Sequence, residues 1–149
     1  MSPTAWLRRP VPDVNEQVQH VWHWDLCSRR DLTLSRMSLR QELAPVRRPG
    51  GPTEDDVEML LLAFEELASN GLRHGRGPVT ATVSATSTGW LIDVSDADAT
   101  RSPAPAIDRD PAQGGLGLHL IVALSSTHGW SVQGGRKHVW ACLPRASVA

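Results

Sequence analysis

Lysine is almost missing from this chain. Of its 15 basic residues, fourteen are arginine and one, Lys137, is lysine. That lysine stands in Gly-Gly-Arg-Lys-His, so the sequence holds neither a GxxxxGK[ST] phosphate loop nor the V-A-I-K strand of eukaryotic-type protein kinases. Any phosphate chemistry has to work without those two lysine devices. Cysteine is scarce as well. Cys27 and Cys142 are the only two, which reads as idle or buried thiols of a reducing compartment rather than a disulfide framework. No run approaches the ~18 apolar residues of a membrane span, and the N-terminal stretch has no signal-peptide core. A cytoplasmic protein without a membrane segment is therefore expected. A basic excess is also lacking: Lys+Arg 15 against Asp+Glu 16 gives a net charge of −1, which removes the compositional case for nucleic acid binding. The six histidines show no metal-ligand spacing, and His20 and His23 point to opposite faces of a strand. Internal repeats and low-complexity tracts are absent.

What is present fits one domain of 149 residues with enough apolar content for a core. Residues 1–17 carry Pro3, Pro10 and Pro12 without an apolar period and read as a flexible arm. From Val18 the chain alternates, with His20, Trp22, Trp24 and Leu26 on one face of a strand. Asp31 is placed to cap a helix bearing Leu32, Leu39, Leu43 and Val46. The strongest helix signal follows. Thr53 is its N-cap, Glu54, Asp55 and Asp56 fill the first turn, and Val57, Leu60, Leu61, Phe64, Leu67, Ala68 and Leu72 form the stripe. Gly75, Gly77 and Pro78 end it. Val79–Thr86 alternates, and Gly89 turns the chain into a strand over Trp90–Val94. Periodicity then fails over 98–113, a stretch long enough to be functional or disordered. Gly114-Gly115-Leu116-Gly117 opens a short helix with Leu118, Ile121, Val122 and Leu124 as its apolar side. A strand begins at Gly129, and Gly134-Gly135 turns it into a last strand, Val139–Leu143. Tight turns between consecutive strands point to antiparallel pairing. The fold class is α+β: a two-layer sandwich, its sheet mixed but mostly antiparallel, with helices on one face.

Three features carry chemistry. Glu66, Asn70 and His74 recur every four residues and so form one row along the strong helix, beside its apolar stripe. Asn70 offers a hard oxygen for Mg²⁺, and Glu66 a base for an attacking hydroxyl or water. Asp96, at a strand end facing a loop, can accept a hydrogen bond from an exocyclic amine or serve as a turn residue. Gly115-Leu116-Gly117-Leu118 at a helix start lets backbone N–H groups approach an anion. It is not a dinucleotide fingerprint, because Leu120 stands where GxGxxG needs its third glycine and no strand precedes it.

Taken in order, Glu-x-x-x-Asn on a helix, Asp at a strand end, a long loop and Gly-x-Gly-Leu opening a helix resemble the GHKL ATPases with their Bergerat fold. The likeness spans residues 18–145 and is greatest to the small bacterial anti-sigma factors and serine kinases of the actinomycete type. Phe64-Glu65-Glu66-Leu67-Ala68-Ser69-Asn70-Gly71-Leu72-Arg73-His74-Gly75 is similar to their N box, and Gly134-Gly135-Arg136-Lys137-His138-Val139-Trp140 to their last hairpin. The resemblance implies an ATP-binding domain over 18–145, with an ATP lid at 98–113 and a short tail at 146–149. It implies that Asn70 holds Mg²⁺ against the triphosphate and Glu66 acts as general base. Asp96 receives the adenine amino group, and Gly115, Leu116, Gly117 and Leu118 sit at the phosphates. With no lysine suited to the γ-phosphate, Arg101 and Arg109 in the lid are the available cations. Lys137 reads as part of the final hairpin turn. The implied activity is transfer of the γ-phosphoryl group of ATP to a serine or threonine of a STAS-type anti-sigma antagonist, with a sigma factor as alternating partner and a homodimer as the assembly.

One departure stands out. The family's Asp-x-Gly-x-Gly box is Asp96-Ala97-Asp98-Ala99-Thr100 here, without either glycine. This lowers the expected nucleotide affinity. It also motivates the alternative of a non-catalytic module that binds protein partners by sequestration. A kinase domain detached from a sensor histidine kinase fits less well, since the arm runs directly into a strand.

Overall fold

A computed structural model describes residues 6–44, 51–103 and 116–146 of the chain. The order is β1 (His20–Leu26), α1 (Arg29–Glu42), α2 (Glu54–His74), β2 (Val79–Ala85), β3 (Gly89–Asp96), α3 (Leu116–Leu124), β4 (Thr127–Gln133) and β5 (Arg136–Pro144). This is the α+β succession that the alternation and the helical stripes predict.

The helix starts are set by side chains. Ser28, rather than Asp31, caps α1: its Oγ accepts the Asp31 N–H at 3.3 Å. Asp31 lies three residues inside the helix and turns its carboxylate back to the Cys27 N–H at 2.8 Å. The first bond satisfies a donor that the helix start leaves open, and the second fixes the residue before the cap. At α2 the reciprocal box is complete, with Thr53 Oγ1 accepting from the Asp56 N–H and Asp56 Oδ2 accepting from the Thr53 N–H. The apolar stripes face inward. Leu32 and Leu39 of α1, Leu43 at its C-cap, and Val57, Leu60, Leu61, Phe64, Leu67 and Ala68 of α2 are buried. Val46 lies outside the described residues, and Val122 of α3 is exposed rather than part of the packed side.

The five strands run in the order β1-β2-β3-β5-β4, each neighbouring pair antiparallel. One face carries Trp24, Ala81, Val94, Val139 and Trp130 in register and packs on the helices, Trp24 meeting the Phe64 ring edge-on at 5.4 Å. The parallel element of the expected mixed sheet is a single bridge, Arg8 to Trp130. It belongs to the segment whose prolines read as a flexible arm. Residues 6–9 lie along the outer edge of β4, where the Arg9 N–H donates to the Trp130 carbonyl and the Trp130 N–H to that of Leu7. Trp6 is buried against His128, and the Trp140 indole N–H donates to the Arg9 carbonyl. The edge that β4 would otherwise expose is thus covered. Trp6 was the available sequence signal for this docking, because a large aromatic seldom rests in a solvated arm.

The β4–β5 turn decides a side chain that matters below. Gly134 and Gly135 take φ of 57° and 77°, the left-handed values of a two-residue hairpin turn. Such a turn uses no further residues, so β5 starts at Arg136 and not at Val139. Lys137, expected in the turn, is a strand residue. Arg136 points to the uncovered face, donating to the Pro78 carbonyl and to Ser95 Oγ. Its successor must therefore point to the helix side.

The uncovered face holds an ion pair with a pH signature. His138 Nδ1 lies 3.0 Å from Asp93 Oδ1, the two side chains being 20% and 22% exposed. The hydrogen bond with Asp93 raises the imidazole above its ordinary value, against the opposing effect of burial. A raised histidine stabilises the fold fully below the unfolded value, near 6.5, and loses that contribution as pH climbs through the folded one. Unfolding free energy should therefore fall by roughly 1 kcal/mol between pH 6 and pH 8, partial exposure having trimmed the charged hydrogen bond. Urea titrations of the wild type and His138→Gln at both pH values check this, the variant being expected to lack that part of the slope.

Candidate functional site

The helical row predicted from spacing is realised on α2. Glu66, Asn70 and His74 line one cleft together with Ser69, Arg73, Gly117 and Leu118. The α2 stripe is anchored in the core, so its border residues have one direction left, toward the start of α3. Leu118, fully buried, holds that start against α2.

Gly117 is where the two helices meet most closely. A Cβ placed there would lie 1.8 Å from Glu66 Oε2 and 2.4 Å from its carboxyl carbon. Only glycine brings α3 this near the carboxylate. Residues expected at a general base and at a phosphate box thus adjoin in space. Burial raises the Glu66 carboxyl above its ordinary value and the neighbouring Glu65 adds to the rise, while Arg73 opposes it. A more basic carboxylate suits proton abstraction. The cleft measures about 20 Å³, enough for a water-sized group.

Asp96 is the last residue of β3, not a residue beyond it, and it is buried. Its Oδ1 accepts from the Asp98 N–H at 2.8 Å and the Arg76 N–H at 3.4 Å. Gly75 makes room for it: a Cβ on Gly75 would lie 2.6 Å from Oδ2. Directly across the ladder stands Lys137, whose Nζ is 3.5 Å from Asp96 Oδ2. These side chains are only 2% and 3% exposed, so the ion pair is shielded from water. Lys137 Nζ also donates to the Arg101 carbonyl at 3.1 Å. The single lysine, read as part of the final hairpin turn, is therefore packed against the proposed base-recognising carboxylate. The cause is the tight glycine turn, which puts Lys137 into the strand and onto the helix face.

The remaining site residues divide. The Arg101 side chain is exposed, and its ordered role is the carbonyl held by Lys137. Gly115 and Arg109 lie outside the described residues, as does the Leu116 side chain. Among the described residues the cation lining the cleft is Arg73, which sequence reading passed over although it sits three residues beyond Asn70 on the same helix face. In the loop after β3, the Thr100 hydroxyl and N–H both bond Asp98 Oδ1 and hold that carboxyl below its ordinary value. No three His, Cys, Asp or Glu side chains gather into a metal site among the described residues. A Mg²⁺ here would take Asn70 as its amide oxygen ligand and draw the rest of its shell from phosphate and water, the coordination that ion favours. A second cavity, about 390 Å³, lies at the far ends of β3 and β5 between Val14, Trp90 and Leu143. Among the described residues no charged side chain lines it, so these offer nothing to a triphosphate. No described helix is long and apolar enough to cross a membrane.

The family model of the histidine kinase-like ATPase domain matches residues 31–143. No curated protein matches the chain. Among solved structures, the Acinetobacter baumannii histidine kinase AdeS is similar at 18% identity and a TM-score of 0.44, over 89% of this chain and 72% of that one.

Proposed function

Since this chain belongs to the histidine kinase-like ATPase domain family, of the GHKL type, we propose that it binds Mg-ATP between α2, α3 and the ends of β3 and β5 and phosphorylates a protein hydroxyl. The observation that carries this reading is the approach of Gly117 to Glu66 beside Asn70, within one cleft. ATP would supply the γ-phosphoryl group, and a bound Mg²⁺ would neutralise charge on it. Glu66 takes the proton of a serine or threonine hydroxyl as its oxygen bonds to γ-phosphorus, and the bond to the departing ADP oxygen breaks with its electron pair. Asn70 would hold the cation, and the N–H groups at the start of α3 would meet the phosphates. Arg73 is the fork-shaped cation at hand in a protein with no lysine for that duty. The cleft, at about 20 Å³, is smaller than a triphosphate, so a bound one would need the start of α3 to stand further from Glu66 and Asn70.

The substrate we propose is a STAS-type anti-sigma antagonist, with a sigma factor as the alternating partner and a homodimer as the assembly. Support for this finer assignment is the N-box and last-hairpin sequence of residues 64–75 and 134–140. A second reading, sequestration without nucleotide turnover, draws on Asp98 and Thr100, which place a carboxylate and a hydroxyl where the family has glycine. Calorimetric titration with Mg-ATP separates the two. Saturable binding, followed by phosphate transfer to a STAS-domain protein of the same genome, is expected. No heat at millimolar Mg-ATP would refute nucleotide binding and leave sequestration.

A further inference from the structure

The nucleotide reading above gives Asp96 a role and leaves Lys137 without one. A lone lysine in a chain of fourteen arginines is nine-tenths or more buried at that carboxylate. Two facts define what it can do. Asp96 Oδ1 is committed to two backbone N–H groups, whereas Oδ2 faces Lys137 at 3.5 Å, an ion-pair distance that leaves the oxygen open to a further donor. Lys137 spends one of its three N–H bonds on the Arg101 carbonyl, at the root of the segment that follows β3. An acceptor oxygen and a donor nitrogen thus stand side by side at the buried end of β3 and β5.

We propose that Lys137 reads the nucleobase directly, donating to a ring nitrogen acceptor while Asp96 Oδ2 accepts from the adjacent exocyclic amine. The inference rests on the nucleotide reading of this site and adds the residue that completes base recognition. The edge that fits is an amine beside an unprotonated ring nitrogen, which in adenine is N6 beside N1. A base that presents a ring N–H toward an ammonium is repelled. Entry of the base requires the 101–103 segment to lift, because Pro103 is buried and Arg101 holds Lys137. The N–H released from the Arg101 carbonyl is the one that the ring nitrogen takes up, so the ammonium keeps its number of hydrogen bonds. Arginine would not serve here: its planar fork is larger and would address both atoms as a donor.

The test compares ATP with 1-deaza-ATP, in which the ring nitrogen is replaced by C–H, by calorimetry on the full chain. Wild type should bind 1-deaza-ATP at least about tenfold more weakly, since the ammonium loses its acceptor in a buried site. In Lys137→Met the two nucleotides should bind alike. Because that variant leaves Asp96 without its counter-ion and can fail to fold, a second measurement uses the wild type alone. With one lysine in the sequence, lysine carrying ¹³C at Cε gives a single side-chain NMR signal. ATP should shift it strongly and 1-deaza-ATP much less. Equal affinities in the wild type, a discrimination that persists in Lys137→Met, or an unmoved lysine signal in an ATP-bound sample overturns the role of Lys137 and leaves the nucleotide site standing. Absence of any ATP heat overturns the nucleotide reading and this inference with it.

Discussion

Asp96→Ala should lower the unfolding free energy by about 3–5 kcal/mol, because it strands a buried ammonium. The size follows from the 3% and 2% exposure of Lys137 and Asp96, which keeps the remaining charge away from bulk solvent. Asp96 also accepts the Arg76 and Asp98 N–H groups, so its loss loosens the exit from α2 and the start of the loop after β3. From sequence alone the same substitution is expected to act on nucleotide affinity by removing one hydrogen bond. The tertiary structure adds a larger effect on the fold. Chemical denaturation followed by tryptophan fluorescence measures it. The companion variant is Asp96→Asn with Lys137→Met, which removes both charges and should recover a large part of the loss, as neutral replacement of buried pairs commonly does. A single variant within 1 kcal/mol of the wild type would mean that the pair is solvated in solution. Any affinity measurement on Asp96→Ala has to be made where the variant is shown to be folded.

Glu66→Gln should reduce phosphoryl transfer about 10²–10⁴-fold, the usual contribution of a positioned general base. ATP affinity should stay within about twofold, since Gln keeps the shape of the side chain. The fold should survive, and the sign can be worked out. A carboxyl raised by burial adds stability below its unfolded value and loses it as pH rises through the folded one. At neutral pH the ionised Glu66 is therefore a cost that Gln removes, and the variant should be at least as stable as the wild type. Loss of activity then cannot be assigned to unfolding. Gly117→Ala should give a related result by another route. Its Cβ would fall 1.8 Å from Glu66 Oε2, so the carboxylate must swing aside while the flexible end of the side chain absorbs the clash. Radiolabelled transfer to a STAS-domain substrate reads both variants. Wild-type rates in Glu66→Gln would remove Glu66 from catalysis. In the wild type the rate should rise with pH through an apparent value above that of an ordinary carboxylate.

The helical part of this site was legible because it is local. Four-residue spacing on a capped, amphipathic helix requires Glu66, Asn70 and His74 to share a face, and the apolar stripe beside them directs that face to the border of the core. The same local logic marked Thr53 as a cap and Gly75 as an end. It misjudged Asp31 against Ser28, since both can accept an open N–H and only the chain direction after β1 decides which residue stands at the cap. The alternation over Val79–Thr86 revealed one covered face for the same reason: side-chain direction in a strand repeats every two residues.

Other relations needed the folded chain. The closeness of Gly117 to Glu66 depends on how α3 lies on α2, and no residue near either position encodes that angle. The docking of Trp6 and Arg8 on β4 joins the two ends of the sequence. The Asp96–Lys137 pair depends on ladder register between β3 and β5, which a glycine turn shifts: one residue of slip would point Lys137 at the uncovered face. Sequence periodicity by itself determined which residues line each helix and strand, because that follows from backbone geometry over a few positions. Only the tertiary structure decided that the single lysine faces the buried carboxylate, because register between distant strands is chosen by the packing of the whole sheet.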